Sequence, residues 1–279
     1  MLSARPTETT EDPHAELTFI VPRPDEKPRF LSAAITGESE RFFFDVESHT
    51  VRIEDARTWR APHLDREGFQ LLKRPTLVRD LRDDELVKRV YLPEVERLIK
   101  DVLGAESVVS FDATRRSDAP DGSSNPDGVR RPAGQIHVDY TETSGPQRAA
   151  DVLGVERVEA ALRAGKAIVQ VNAWRPIVGP VRRSPLAFAD ASSIRPGDLI
   201  ATDQVFPERI GEIYHLRARA DQRFGYFPNM TSDEVVLIKG WDSRTDGRAR
   251  FTPHSAFALP NSDAAPARRS IEVRTFAIL

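Results

Sequence analysis

The chain has 279 residues, and its 40 Lys and Arg against 43 Asp and Glu give a net charge of −3, with no run of about five like charges, so the footprint of a nucleic-acid or anionic-membrane binder is missing. With 39% hydrophobic residues it can bury a sizeable core and is too apolar to be disordered. The absence of cysteine excludes disulfides, zinc-thiolate sites, cysteine-ligated iron–sulfur clusters and cysteine nucleophiles, so any metal must be held by His, Asp or Glu.

Residues 1–14, rich in Pro, Thr and Glu, predict a frayed tail without the apolar segment of a secretory signal. No stretch approaches the ~18 consecutive apolar residues of a membrane helix, which predicts a cytoplasmic protein. From Leu17 to Ile53, aromatic and β-branched clusters separated by Pro, Gly and charged residues predict short strands. Residues 64–80 and 83–103 predict helices packed outside a sheet. In the second, Leu86, Val87, Val90, Val95, Leu98, Ile99 and Val102 mark an apolar stripe, Pro93 kinks it or starts a fresh helix, and Gly104 stops it.

Residues 112–134 hold Pro, Gly, Asp, Ser and Arg with almost nothing apolar and predict a long surface loop. A strand-like alternation follows over Gln135–Thr141, then a helical excursion at 146–164. Strand signals resume at 167–174, 199–202, 212–217, 223–227, 234–239 and 270–279. Many short strands with few helices predict a mainly β protein, a double-stranded β-helix of the jelly-roll or cupin-like kind with flanking helices. Residues 15–279 then form one domain, with 15–110 an N-terminal β/α elaboration and 130–279 the core that carries the chemistry.

On a strand, His137 and Asp139 project to one side while Val138 faces the other, so one rigid element offers two metal ligands. A third must come from a distant strand, and His254 is the best candidate. Two imidazoles and a carboxylate on one face form the facial triad of non-haem Fe(II) oxygenases. By itself His-x-Asp is more often an ordinary polar pair, and both readings stand at this point. Downstream, alternation puts Arg268, Ser270, Glu272 and Arg274 on one face and Ile271 and Val273 on the other. The polar face is either a solvated edge or the site for the far carboxylate of 2-oxoglutarate, with Arg268 forking onto it and the Ser270 hydroxyl assisting.

The run His137-Val138-Asp139-Tyr140-Thr141, the block from Val171 through Trp174 to Ile177, Gly211-Glu212-Ile213-Tyr214-His215-Leu216, the block Arg223–Met230, Trp241-Asp242-Ser243, Pro253-His254-Ser255-Ala256-Phe257 and Arg268–Arg274 follow one another in order. Together they resemble the family of bacterial and fungal biosynthetic oxygenases that includes CmcJ and the AsaB-type hydroxylase/desaturases. The resemblance spans about residues 130–279. It implies a double-stranded β-helix, Fe(II), 2-oxoglutarate and O2 as cofactors, and oxidation of a small molecule in specialised metabolism by hydroxylation, desaturation or rearrangement. It carries the iron-ligand role to His137, Asp139 and His254, and the 2-oxoglutarate role to Arg268 and Ser270. His215 lies in a family-like block too and competes with His254 as the distal ligand.

Asn172 is a contact of 2-oxoglutarate or of the ligands, or satisfies a backbone turn. Tyr140, Trp174, His215, Tyr226 and Trp241 are candidate pocket residues, with Trp174 equally readable as core. Arg175, pointing oppositely, suits an ion pair, and Asp242 suits a hydrogen bond to the distal imidazole or simply caps a turn. The loop at 112–134 and the segment 142–165 flank the His-x-Asp strand and form the expected substrate lid. Two rivals use the same residues: a metal-dependent hydrolase or isomerase activating water, and a non-catalytic component acting with a biosynthetic protein partner. A homo-oligomer is also open, and no nucleic acid or membrane is expected.

Overall fold

The structure is a computed structural model that describes residues 12–36, 40–126 and 128–279. Its strands, in chain order, are β1 (His14–Val21), β2 (Arg29–Leu31), β3 (Arg41–Phe42), β4 (Asp45–Asp55), β5 (Phe69–Lys73), β6 (Ser107–Ser117), β7 (His137–Val138), β8 (Ile168–Val178), β9 (Leu186–Ala189), β10 (Leu199–Val205), β11 (Ile210–Leu216), β12 (Phe224–Tyr226), β13 (Glu234–Asp242), β14 (His254–Ala256) and β15 (Arg269–Ile278). The helices are α1 (Ala33–Thr36), α2 (Asp84–Leu86), α3 (Leu92–Leu103), α4 (Ser144–Leu153) and α5 (Val155–Arg163). None of them is long and apolar enough to cross a membrane.

A ten-stranded sheet in the order β1-β4-β12-β9-β14-β7-β11-β10-β2-β3 faces a five-stranded sheet in the order β5-β13-β8-β15-β6. The pair forms the double-stranded β-helix expected from the sequence. β8 lies at the centre of the smaller sheet and is buried on both faces. Its Val169, Val171 and Ala173 pack with Ile271 and Val273 of β15 against Val95 and Ile99 of α3. Each fully buried aliphatic side chain of this kind contributes roughly 1.5–3 kcal/mol. The opposite face carries Gln170, Asn172 and Trp174, and Trp174 joins Phe69, Phe188 and Ile238 in an apolar layer. Gln170 and Asn172 are left as polar groups in the interior.

The helix expected at 83–103 runs through Pro93 without restarting. Asp83 caps it by accepting from the N–H groups of Glu85 and Leu86, and a π-helical turn at Val87–Tyr91 widens the chain just before the proline, which cannot donate to the helical ladder. Gly104 ends it in the left-handed region at φ 63°, where a side chain would be strained.

Three expectations are corrected. Residues 64–80 are not a helix: Phe69–Lys73 form β5 and pair with β13 from Lys73↔Glu234 to Phe69↔Ile238. Phe69 and Leu71 face the layer between the sheets while Leu72 faces α3, so the apolar spacing serves strand alternation. Residues 112–117 belong to β6, not to a loop, because Asp112, Thr114 and Arg116 project into a polar cavity while Ala113 packs outward. Of the tail expected at 1–14, residues 1–11 lie outside the described residues. Asp12 is fixed by Arg52 at 2.6 Å and by the Asp55 N–H at 2.9 Å, and His14 opens β1.

Candidate metal centre and cavity

β14 and β7 are neighbours, and their register sets His254 directly across from His137. The ring centroids stand 4.8 Å apart. Each ring is held by a backbone carbonyl, with His137 Nδ1 2.9 Å from the Gln135 oxygen and His254 Nδ1 3.0 Å from the Thr252 oxygen. A proton on Nδ1 satisfies both contacts and leaves each Nε2 as a lone-pair donor, the orientation that metal-binding histidines need. Asp139 follows on the same side of the strand, its Oδ1 3.9 Å from His137 Nε2. Burial pushes the His137 imidazole down to about 4, helped by the nearby His254, so it is neutral and able to ligate at pH 7.

The smaller sheet supplies a matching rung. Arg274 on β15 is in register with Asp112 on β6 and Asn172 on β8. Its Nε donates to Asp139 Oδ2 at 3.2 Å and its Nη1 to Asp112 Oδ2 at 2.5 Å. Asn172 Nδ2 donates to Asp139 Oδ2 at 2.5 Å, and its amide oxygen accepts from Gln170 Nε2 at 2.6 Å, which fixes which way the amide faces. Burial would raise the Asp139 carboxyl, but Arg274 and the two imidazoles outweigh it and hold the group well below the usual carboxylate range.

As they stand, no three His, Asp or Glu donors among the described residues form a closed metal site, because the Asp139 carboxylate faces Arg274 and Asn172. The donor chemistry nonetheless fits a ferrous ion: two tautomer-fixed imidazoles and one ionised carboxylate from neighbouring strands. His215 lies on the other flank of His137, across β11. No carbonyl orients it. Its Nδ1 is buried without a partner, and Phe30, Phe42 and Phe44 surround the ring at 5.1 to 6.3 Å.

Beside His137 and Asp139 opens a cavity of about 710 Å³. Tyr140 and His215 line it, as do Arg130 and Pro132 to Gln135 at the end of the long loop and Ser144, Gln147 and Arg148 of α4. Trp174, Tyr226 and Trp241 are not on its wall. Trp174 lies in the layer between the sheets, Tyr226 packs against Phe257, and Trp241 packs with Phe276 and Ala149. Asp242 does not reach the His254 imidazole but caps a turn, accepting from the Arg244 N–H at 3.0 Å. Its carboxylate is taken by Lys239 at 3.0 Å and Arg244 at 2.7 Å, while His254 uses the Thr252 carbonyl. Arg175 makes no ion pair and bonds instead to the Tyr91 hydroxyl at 3.0 Å and to backbone carbonyls of Arg74 and Ser232.

Arg268 is 2% exposed yet not saturated. Nη1 donates to the Ser184 carbonyl at 2.8 Å, the guanidinium lies 5.7 Å from the Trp174 ring, and Nε and Nη2 have no partner. Burial pushes its pKa down to about 9, with Arg116 adding repulsion. Two unpaired charged donors in the interior are costly unless an anion joins them. Ser270 is buried on the same side, in register with Arg116 and Pro176. Arg274, the cation that holds the Asp139 carboxylate, was not assigned a role from the sequence, although alternation had already put it on the face of Arg268.

A family described as "Oxidoreductase/YMDC permease-like domain" matches residues 17–278. The chain is 35% identical over 234 residues to the hydroxylase/desaturase efuI of Hormonema carpetanum, across 76% of this chain and 77% of that one. It is 31% identical over 241 residues to the Fe(II)/2-oxoglutarate-dependent dioxygenase nvfI of Aspergillus novofumigatus, across 83% and 84%. The solved structure of the iron and alpha-ketoglutarate-dependent endoperoxidase NvfI superposes with a TM-score of 0.82 at 27% identity, covering 96% of this chain and 98% of that one.

Proposed function

The chain belongs to the hydroxylase/desaturase family of Fe(II)/2-oxoglutarate-dependent oxygenases, and from that premise we propose that His137, Asp139 and His254 hold the iron, while Arg268 and Ser270 take the far carboxylate of 2-oxoglutarate. Bound at these residues, Fe(II) with 2-oxoglutarate and O2 would supply the oxidising power for a small-molecule substrate, with 2-oxoglutarate and O2 leaving succinate and carbon dioxide. The chain's own residues do the positioning. The Gln135 and Thr252 carbonyls aim the two imidazoles, Asn172 and Arg274 fix the carboxylate, and the cavity sets where substrate lies. Ordering of the Arg268 donors by an incoming carboxylate satisfies groups that otherwise stay unpaired.

The carrying observation is the pair His137 and His254 at 4.8 Å with both Nδ1 atoms tied to backbone carbonyls. His215 lacks that tether, which favours His254 as the distal ligand. The test is anaerobic titration of Fe(II) and 2-oxoglutarate, followed by the charge-transfer absorption of the chelate. It should appear in the parent and in His215→Ala, and be lost in His137→Ala and His254→Ala. Loss in His215→Ala with retention in His254→Ala would reassign the distal ligand. The hydrolase reading predicts no succinate under oxygen, and a partner-dependent component predicts none until the partner is added.

The loop end at 130–135 and α4 both line the cavity, which supports the substrate-lid role for these segments. Exchanging them for a homologue's should change substrate preference while succinate release without substrate persists.

A further inference from the structure

One wall of the cavity carries two buried hydrogen-bonding groups that the chain itself leaves unused. His215 is 3% exposed and Ser32 is 3% exposed; both line the cavity, and His215 Nδ1 and Ser32 Oγ have no partner. Nearly all buried polar atoms in folded proteins are paired, so two orphans on one wall call for an explanation. Apolar surface surrounds them. Phe30 and Phe42 line the same cavity and stack on each other at 5.2 Å, and Phe44 closes on the His215 ring at 5.1 Å. Ser32 follows Phe30 by two positions just beyond β2, and its N–H is fixed to the Val205 carbonyl at 2.9 Å. His215 is placed by β11, whose register sets it beside His137. Enclosed by three phenylalanine rings, the buried imidazole offers one N–H donor and one lone pair.

We propose that this wall recognises the substrate: an uncharged, largely apolar ring compound bearing a hydroxyl or carbonyl oxygen, which His215 and Ser32 hydrogen-bond while Phe30 and Phe42 cover the ring. The proposal rests on the oxygenase reading only for the word substrate; the binding itself needs no metal. An anionic substrate would gain nothing from an imidazole and a hydroxyl in a phenylalanine box, and would favour the arginines that line the same cavity, Arg148 and Arg209 among them.

Three probes of one skeleton separate these cases in the metal-free full chain: 1-naphthol, naphthalene and 1-naphthoate, with affinities from quenching of tryptophan fluorescence. Naphthol should bind roughly 5- to 30-fold tighter than naphthalene, the worth of one or two neutral hydrogen bonds. That preference should vanish in His215→Phe, weaken in Ser32→Ala and return in part in His215→Gln. In the unmutated protein, naphthol should shift the His215 imidazole nitrogen resonances, a readout that does not depend on any variant folding. Equal binding of naphthol and naphthalene, a preference that survives His215→Phe, or binding of none of the three overturns the proposal. Tightest binding by naphthoate, abolished by Arg209→Ala, overturns it in favour of acid recognition. Failure of Fe(II) and 2-oxoglutarate to bind would sink the oxygenase reading and leave these outcomes unchanged.

Discussion

The Arg274 guanidinium, from the smaller sheet, embraces the Asp139 carboxylate beside the larger one, with Nε to Oδ2 at 3.2 Å and Nη2 to Oδ1 at 3.3 Å. Both side chains are mostly buried. A pair of this kind is worth little against a well-packed apolar substitute, but losing one partner strands the other charge. Arg274→Met should therefore destabilise the metal-free protein by about 3–5 kcal/mol. A bound divalent cation would compensate the stranded carboxylate. Urea denaturation with and without Mn(II) should show a larger stabilisation by metal in the variant than in the parent.

Asn172 acts on the same carboxylate but carries no charge. Asn172→Ala removes the 2.5 Å donor to Asp139 and leaves the Gln170 amide without its acceptor. Outer-shell losses of this kind typically weaken metal binding by about 10- to 100-fold. Calorimetric titration with Mn(II) should show a drop in that range, with 2-oxoglutarate affinity of the metal-saturated variant much less affected.

Arg268 should behave in the opposite way to Arg274. Its Nε and Nη2 are already unpaired in the interior and its charged form is disfavoured by burial. Arg268→Met loses one bond to the Ser184 carbonyl and removes a desolvated charge. The melting temperature of the metal-free variant should then equal or exceed the parent's. Affinity for 2-oxoglutarate on the Mn(II)-loaded protein should fall by roughly 100-fold, the worth of one or two charge-assisted hydrogen bonds. A variant that melts much lower and binds 2-oxoglutarate normally would remove Arg268 from the site.

Much of this site was legible because strand alternation is a rigid rule. It put His137 with Asp139, and Arg268 with Ser270, Glu272 and Arg274, before any contact was known. It misled where the inner face was wet and where both faces of a strand were covered. Asp112, Thr114 and Arg116 looked like loop because their interior neighbours are a cavity and another arginine, not an apolar core. Phe69 to Lys73 looked helical because both faces of β5 are covered, which blurs the period. Register across the chain has no local signal, so neither the pairing of Arg274 with Asp139 nor the Thr252 carbonyl on His254 could be read. The same gap led to Asp242 being expected on an imidazole when Lys239 and Arg244 hold it.

Two buried neutral histidines make the metal-free protein sensitive to mild acid. His137 is pushed down to about 4 and His215 to about 3, in each case mainly by burial, whereas in the unfolded chain both titrate near 6.5. Between those values the unfolded chain holds protons that the folded one does not, so stability is full above about pH 6.5 and is lost as pH falls toward the folded values. Each histidine contributes a slope of about 1.4 kcal/mol per pH unit in that window. Urea midpoints of the metal-free protein should fall steadily from about pH 6.5 to about pH 4.5. His215→Phe should flatten the dependence by the slope of one histidine; an unchanged slope would show that His215 is accessible to protons in the fold.

Gly68 controls the setting of His254 from outside the site. It sits at φ +88°, and a Cβ there would meet Thr252 Oγ1 at 2.2 Å. That hydroxyl donates to the Gly68 carbonyl at 2.8 Å, and the Thr252 carbonyl in turn holds His254 Nδ1 at 3.0 Å. Gly68→Ala therefore combines a strained left-handed residue with displacement of the segment that aims an imidazole. The cost in stability should be about 1–3 kcal/mol, and Mn(II) affinity should fall further than the stability loss alone explains. Thr252→Val tests the route separately: it removes the hydroxyl bond but keeps the carbonyl, so stability should drop by about 1 kcal/mol with metal affinity largely retained. Equal losses of metal affinity in both variants would mean that the hydroxyl bond to Gly68, rather than the placement of the carbonyl, is what orients His254.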